Sequence, residues 1–279
     1  MQIIEQYRIS KTGNEYDCED VIFVNPYFAC VIDGATSRNG VTYCGKKSGL
    51  MAADITKNVL TTLKGTASLR ETLDFITDGF LAFYREYDLK PDDHNQIITA
   101  SAIIYSKYHN QIWLIGDCQC RVNGVVYNNP NGIDQFVASV RSFVNQGEIL
   151  KGRTDDWIQQ NDPGSEYIKM LLTDQFLFQN KPPMRTGSFS YTAFDGRFIK
   201  EEQVKVIRLG EDIKEVVLAS DGYPNVFGTL EESEEYLANI LIKDPLCIYE
   251  HKCVKGIKKG FISYDDRAYL RLSLKNDKK

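Results

Sequence analysis

Residues 31–37 read VIDGATS, an apolar run that ends in an aspartate, a glycine and a small polar stretch. A carboxylate at the end of a buried strand is costly unless cations or hydrogen-bond donors stabilise it. A turn would explain the stretch, because aspartate binds nearby backbone amides and glycine takes positive φ. What stabilises Asp33 therefore decides between a simple turn and a binding site.

Carboxylates recur at other strand ends along the chain. They are Glu19 and Asp20 before VIFV, Asp117 after IWLIG, Asp221 after VVLAS, and Asp265 and Asp266 before AYLRLSL. A turn is the best explanation of any one site, but strand ends of an antiparallel sheet can meet at one edge. Clustered carboxylates repel one another and take up protons unless cations pair with them. No matching set of Lys or Arg stands beside them in the sequence, and oxygen ligands without His or Cys suit Mg²⁺ or Mn²⁺.

The remaining pattern predicts antiparallel hairpins and a few long helices. VIFV and FACVI flank Asn25-Pro26-Tyr27, and CRV and VVY flank the hairpin dipeptide Asn123-Gly124. The apolar spacing predicts a helix over 45–63, and capping boxes at 68–71 and 229–232 begin two more. The final run AYLRLSL alternates like a half-buried strand. These elements predict an α+β fold.

The tract 129–200 lacks the clear periodicity of its surroundings. It has helix-like stretches over 136–149 and 167–178, separated by a polar patch. We expect an elaborated insertion that packs beside the acidic edge and shapes access to it.

Composition narrows the class of protein. The chain has 279 residues, of which 43% are hydrophobic and 25% charged, and its net charge of −5 is spread along the sequence. This balance predicts an ordinary globular chain and argues against a nucleic-acid groove. No apolar run approaches a membrane span, and Glu5 and Arg8 stand where a signal peptide needs an apolar core. We therefore expect a cytoplasmic, monomeric protein without nucleic-acid or membrane partners.

The seven cysteines form no CxxC pair and predict free thiols. The pair Cys118 and Cys120 could be half of a metal site, but packing on a strand is the simpler interpretation. Cys30 and Cys44 lie near DGATS without a CxxxxxR phosphate loop, so we expect them to be packing residues.

The motifs ED, DG, GD, SDG and DD, in this order and context, resemble the metal-dependent protein phosphatases of the type 2C (PPM) family. The resemblance runs from Glu19 to about Leu274 and covers 129–200 only loosely. It implies a two-sheet antiparallel β-sandwich flanked by helices on both sides. It also implies a single domain over 1–279, with a variable insertion or flap at about 129–200.

The same resemblance assigns roles to individual residues. Asp33 would bridge two Mn²⁺ or Mg²⁺ ions, with Glu19 and the carbonyl of Gly34 completing one ion's protein ligands. Asp221 and Asp265 would hold the other ion, and Asp117 is a candidate ligand of a third. Asp20 would act through a bound water. Two such ions can activate a water that attacks the phosphate of phosphoserine or phosphothreonine in a protein substrate.

Several positions depart from the family's pattern. Ala35 stands where many relatives have a histidine, Glu15 and Gln119 stand in place of arginines, and Asn225 replaces an aspartate that helps the third ion. Arg38 is a candidate replacement for the phosphate-binding arginine, although a solvated loop arginine explains it equally well. Two functions remain open: a metal-dependent serine/threonine phosphatase, or a catalytically weak relative that serves as a metal-stabilised regulatory, partner-binding module.

Overall fold

The computed structural model describes residues 1–36, 40–91, 93, 96–129, 132–182 and 189–274. The helices are α1 Ser48–Thr62, α2 Leu69–Glu86, α3 Gly132–Leu150, α4 Asp155–Asn161, α5 Pro163–Asp174 and α6 Leu230–Lys243. The first strands are β1 Gln2–Ile9, β2 Val21–Val24, β3 Phe28–Gly34, β4 Thr42–Tyr43, β5 Lys46–Lys47 and β6 Ala100–Ser106. The later strands are β7 Gln111–Ile115, β8 Gln119–Val122, β9 Val125–Tyr127, β10 Lys205–Arg208, β11 Glu215–Ala219 and β12 Arg267–Ser273.

Two five-stranded sheets form the centre of the molecule. The first sheet has the order β1-β12-β11-β8-β9 and the second has the order β10-β7-β6-β3-β2. The strand pairs within both sheets are antiparallel. The hairpins predicted at Asn25-Pro26-Tyr27 and Asn123-Gly124 join β2 to β3 and β8 to β9. Asn123 and Gly124 both take positive φ, as that turn requires.

The sheets pack face to face through one apolar layer. Val31, Ile103 and Leu114 of the second sheet share this layer with Leu218 and Leu270 of the first. Cys118 and Cys120 are buried in the same layer, which agrees with their interpretation as packing residues. The predicted two-sheet sandwich is confirmed.

Helices cover the outer face of each sheet. Helices α1 and α2 lie over the second sheet, where Leu73, Ile76 and Phe80 of α2 are fully buried. Helix α6 lies over the first sheet, where its Leu237 packs in one cluster with Tyr269. Both predicted capping boxes form, at Ser68 with Glu71 and at Thr229 with Glu232.

Two local predictions were wrong, the first only in part. Strand β12 is half-buried only in its second half, where Arg271 and Ser273 are partly exposed; in its first half both faces are buried, because Tyr269 points away from the sandwich layer and packs beneath α6. Cys44 is exposed and contacts the Tyr87 hydroxyl at 2.9 Å, so it is not a packing residue. Cys30, in contrast, is fully buried.

The tract 129–200 contains α3, α4 and α5 and then returns to the second sheet. Phe194 forms an antiparallel bridge with Ala100 at the start of β6. The single-domain organisation of 1–279, with this tract as an insertion, stays a prediction. Within the described residues, no helix is both long enough and apolar enough to cross a bilayer.

Candidate functional site

The antiparallel register brings the acidic strand ends to one edge of the sandwich. Gly34 at the end of β3 lies opposite Ala100, and β7 ends beside the same stretch of β6. In the other sheet, Ala219 at the end of β11 lies opposite Tyr269 near the start of β12. The strand ends that carry Asp33, Asp117, Asp221 and Asp265 therefore lie at a common edge.

Asp33 and Asp221 lie near each other where the two sheets meet, and each carboxyl affects the pKa of the other. Burial, together with the charge of Asp20, raises the pKa of Asp33 well above its ordinary value. Removal of water from around the carboxyl, together with the charges of Asp33 and Asp117, likewise raises the pKa of Asp221. Asp33 is half-buried and Asp221 exposed, so solvent reaches the pair. Two carboxylates that lie this near to each other are stable only if a proton or a cation reduces their repulsion.

Glu19 provides a buried oxygen next to Gly49, which packs against the Gly34 carbonyl. Its Oε1 accepts the Gly49 amide at 3.2 Å, at the start of α1. Its Oε2 is buried and has no hydrogen-bond partner within the described part of the chain, and the residue is only 1% exposed. Burial raises the pKa of Glu19. An unpaired buried oxygen of this kind costs free energy unless a ligand completes it.

Glycines allow the close approach of Glu19, β3 and α1. A Cβ atom on Gly49 would lie 2.5 Å from the Gly34 carbonyl oxygen and 2.6 Å from Glu19 Oε1. A Cβ atom on Gly34 would lie 2.1 Å from the Gly49 carbonyl oxygen. The cradle around the Gly34 carbonyl therefore needs glycine on both sides.

Asp20 lies behind the Asp33–Asp221 pair and is 1% exposed. Burial raises its pKa well above the ordinary value, and the nearby Ser220 hydroxyl offsets only part of this effect. Its Oδ2 has no hydrogen-bond partner among the residues described. Asp20 can thus accept one more hydrogen bond, from a water or another small donor.

Asp117 follows a tight turn at the end of β7. Gly116 takes a φ of +88°, and a Cβ atom there would lie 2.1 Å from Ser101 Oγ. Burial raises the pKa of the Asp117 carboxyl, and the nearby Ser101 hydroxyl acts in the opposite direction. Gln119, which stands in place of an arginine, donates to the Tyr223 carbonyl at 2.6 Å and so stabilises the turn that carries Asp221.

Asp265 is paired with lysines. Lys255 Nζ lies 2.6 Å from its Oδ2, and Lys11 Nζ lies 3.3 Å from its Oδ1. Although burial acts to raise it, the two ammonium groups hold the pKa of Asp265 below its ordinary value. No matching set of lysines or arginines stands beside these carboxylates in the sequence, but the fold brings two lysines to Asp265. Lys11 is 254 positions from Asp265, and no local pattern in the sequence could have shown the pairing.

Asp266 links the start of β12 to the segment that carries Glu19. Its Oδ2 accepts the Glu19 amide at 2.8 Å, and its Oδ1 accepts the Lys11 amide at 2.9 Å. Gly222 makes this approach possible, since a Cβ atom there would lie 2.0 Å from the Asp266 carbonyl oxygen. Asp266 therefore positions Glu19, a role that the sequence did not reveal.

The donor set suits a hard divalent cation only in part. No three or more His, Cys, Asp and Glu side chains of the described ranges are arranged as a metal-holding group. Mg²⁺ and Mn²⁺ prefer oxygen ligands, and the carboxylates of Glu19 and Asp33 and the carbonyl of Gly34 supply them. Glu19 Oε2 has no hydrogen-bond partner among the described residues and is available to a cation. Asp265, which the family resemblance assigns to a second ion, has both oxygens engaged by lysines. The residues fit one cation better than two.

Three other sequence expectations concern the rim. Ala35 is exposed, which leaves no proton donor at that position. Glu15 is also exposed, in a short helical turn before Cys18. Arg38, the candidate phosphate-binding residue, lies outside the described residues.

Comparisons with known proteins show similarity to solved phosphatase structures. The serine/threonine phosphatase PstP/Ppp of Mycobacterium tuberculosis is 16% identical with a TM-score of 0.48, over 99% of this chain and 100% of that chain. The PstP catalytic domain in complex with two manganese ions is 15% identical with a TM-score of 0.46, over 96% of this chain and 97% of that one. Stp1 from Staphylococcus aureus is 12% identical with a TM-score of 0.47, over 99% and 96% respectively.

These structures belong to the class of enzyme that the sequence motifs resemble. No family model matches the chain, and no curated protein matches it. Identities and TM-scores this low leave activity, substrate and metal to be argued from the side chains of this chain.

Proposed function

We propose that this chain is a metal-dependent phosphoprotein phosphatase that hydrolyses phosphoserine and phosphothreonine. The observation that supports the proposal most is the proximity of Asp33 and Asp221 at a solvent-accessible edge, together with Glu19 Oε2, which is unpaired among the described residues. We further propose a monomer that acts in the cytoplasm without nucleic-acid or membrane partners.

Glu19, Asp33 and the Gly34 carbonyl would hold the divalent cation, with Asp221 beside Asp33. A bound Mn²⁺ or Mg²⁺ would offset the negative charge of the phosphate oxygens. It would also lower the pKa of a water toward neutral pH. Without that charge, the carboxylates at this edge would repel a phosphate dianion, and hydrolysis would stop.

The protein's own groups would then orient the reactants. Asp20 can accept a hydrogen bond and hold a water on the inner side of the pair. Lys11 Nζ donates to Thr36 Oγ1 at 3.0 Å and is paired with Asp265, so it links the residue after Ala35 to the acidic edge. Ala35 offers no proton to the leaving alkoxide, so solvent must supply it.

One specific observation favours a second function. Lys255 and Lys11 neutralise Asp265, and Ala35 lacks an acid, so the site could serve as a metal-stabilised module with weak catalysis. Such a module would bind Mn²⁺ and a partner protein yet hydrolyse phosphoesters no faster than an Asp33 variant.

Phosphopeptide hydrolysis with Mn²⁺ tests the proposal. We expect turnover that disappears with EDTA, resists thiol alkylation and falls to background in Asp33→Asn. The matched control is Asp78→Asn, the same change at an exposed position on α2, which should keep full activity. Protein that binds Mn²⁺ but hydrolyses no phosphoester above the Asp33→Asn background would support the second function instead.

A further inference from the structure

Lys255 is paired with Asp265 at the acidic edge. Its Nζ lies 2.6 Å from Asp265 Oδ2, a short charged hydrogen bond to the carboxylate that the family resemblance assigns to a second ion. The other oxygen, Oδ1, accepts the Asp266 amide at 3.0 Å and lies 3.3 Å from Lys11 Nζ. Both oxygens of Asp265 are therefore engaged by donors of the protein.

The ammonium of Lys255 is held in place by its surroundings. Although burial acts to lower it, the charges of Asp265 and Asp221 raise the pKa of Lys255 above its ordinary value. Lys255 thus lies in the field of both carboxylates that the family resemblance assigns to one ion. Its loop is fixed as well, because Arg141 Nη1 donates to the Cys253 carbonyl at 3.0 Å.

A divalent ion cannot share this position with the ammonium. Two cations within a few ångströms repel strongly where water is partly excluded. Displacing Lys255 would also leave a half-buried ammonium without its partner, which is costly. Glu19 Oε2, in contrast, has no hydrogen-bond partner within the described part of the chain.

We infer that Lys255 replaces the second divalent cation, so that the site binds a single ion on the side of Glu19, Asp33 and the Gly34 carbonyl. This inference rests on the proposed metal site and names its stoichiometry. The lysine charge neutralises Asp265 permanently, while the single divalent ion remains exchangeable.

The test is Mn²⁺ titration of the full chain by calorimetry, with electron paramagnetic resonance of the loaded protein. We expect one ion per chain, with the spectrum of an isolated Mn²⁺ rather than of a spin-coupled pair. In Lys255→Met we expect a second ion and a coupled spectrum, because Asp265 and Asp221 become available. Lys255→Arg keeps the charge and should stay at one ion.

Lys258→Met is the matched control, since Lys258 is exposed in the same loop, and it should also bind one ion. Two ions in the unaltered protein would overturn the inference and leave the proposed function intact. One ion in Lys255→Met with a folded thermal transition would also overturn it. One ion in the unaltered protein without phosphopeptide hydrolysis would overturn the proposed function alone, and no bound ion would overturn both.

Discussion

Ala35 has no titratable group and therefore cannot act as a general acid. It is exposed beside Asp33, at a position where the motif resemblance leads one to expect histidine. A positioned general acid typically contributes about 10²–10⁴-fold to the rate. Its absence matters most for substrates whose leaving alkoxide is strongly basic.

We therefore predict that Ala35→His raises turnover on phosphoserine peptides by about 10-fold or more, while p-nitrophenyl phosphate changes little. The aryl leaving group needs no proton, so the two substrates separate acid catalysis from a general gain. Ala35→Gln, of similar size without a titratable group, is the control. Equal gains on both substrates would show that the histidine acts on binding instead.

Asp221 leads to a second prediction, which concerns how the stability of the metal-free protein depends on pH. Its folded pKa is raised, so below the ordinary aspartate pKa of about 3.9 the group is protonated in both states. As pH rises past that value the unfolded chain loses its proton first, and the metal-free folded protein is increasingly destabilised up to the folded pKa.

In EDTA, Asp221→Asn should therefore melt at a higher temperature than the unaltered protein. The difference should grow between pH 4 and pH 8, since asparagine removes the repulsion with Asp33. Calorimetric melting curves at several pH values measure it, with Asp78→Asn as the reference. A difference that stays constant across this range would contradict the raised pKa.

Among the structural elements, the turn after β11 and the start of β12 meet more closely than the sequence suggests. Gly222 contacts the Asp266 carbonyl so tightly that any Cβ atom would lie 2.0 Å from it. The Tyr264 hydroxyl donates to the Gly222 carbonyl at 3.0 Å and fixes the same junction. Asp221, Asp265 and Asp266 all depend on this junction for their positions.

Gly222→Ala should consequently separate the two elements. We expect a loss of unfolding free energy of about 1–3 kcal/mol and a weakened Mn²⁺ affinity. Gly228→Ala is the matched control, because its Cβ atom would find only an ordinary contact, 3.7 Å from Glu232 Oε2. Denaturant unfolding and Mn²⁺ titration measure both effects; equal stability of the two variants would contradict the tight junction.

Elements with local chemistry were predictable from the sequence. The capping boxes at Ser68 and Thr229 and the Asn123-Gly124 hairpin depend on residues within a few positions of one another, and each formed as predicted. The ion pairs of Lys11 and the clamp from Asp266 to Glu19 depend on register between the two ends of the chain. Glu19 and Asp266 are 247 positions apart, so their hydrogen bond follows only from the completed sheets.

At the scale of the whole molecule, the tract 129–200 is connected to the acidic edge at both of its ends. Asn129 Nδ2 donates to the Gly116 carbonyl at 3.2 Å, and the Gly116 amide donates to Thr192 Oγ1 at 3.1 Å. These contacts lie next to Asp117. That the tract shapes access for protein substrates stays a prediction.

Arg141 connects the middle of the tract to the loop that carries Lys255. It is 1% exposed and pairs with Asp162 at the start of α5, 2.9 Å away. Its guanidinium also donates to the carbonyls of Leu246, Cys247 and Cys253. A planar fork of several donors can bind all these acceptors at once, which a lysine cannot.

Arg141→Lys should therefore keep the pairing with Asp162 but release the loop. We expect faster hydrogen exchange over residues 244–256, where the Ile248 and Tyr249 amides now donate to Asp244. Unfolding free energy should fall by about 1.5–3 kcal/mol, because buried carbonyls lose charged donors. Arg153→Lys is the control, since Arg153 is exposed on the same tract and stacks on Trp157. Equal exchange of the 244–256 loop in both variants would show that the tract does not fix the loop that carries Lys255. Faster exchange in Arg141→Lys alone would show that a residue far from the acidic edge holds that loop in place.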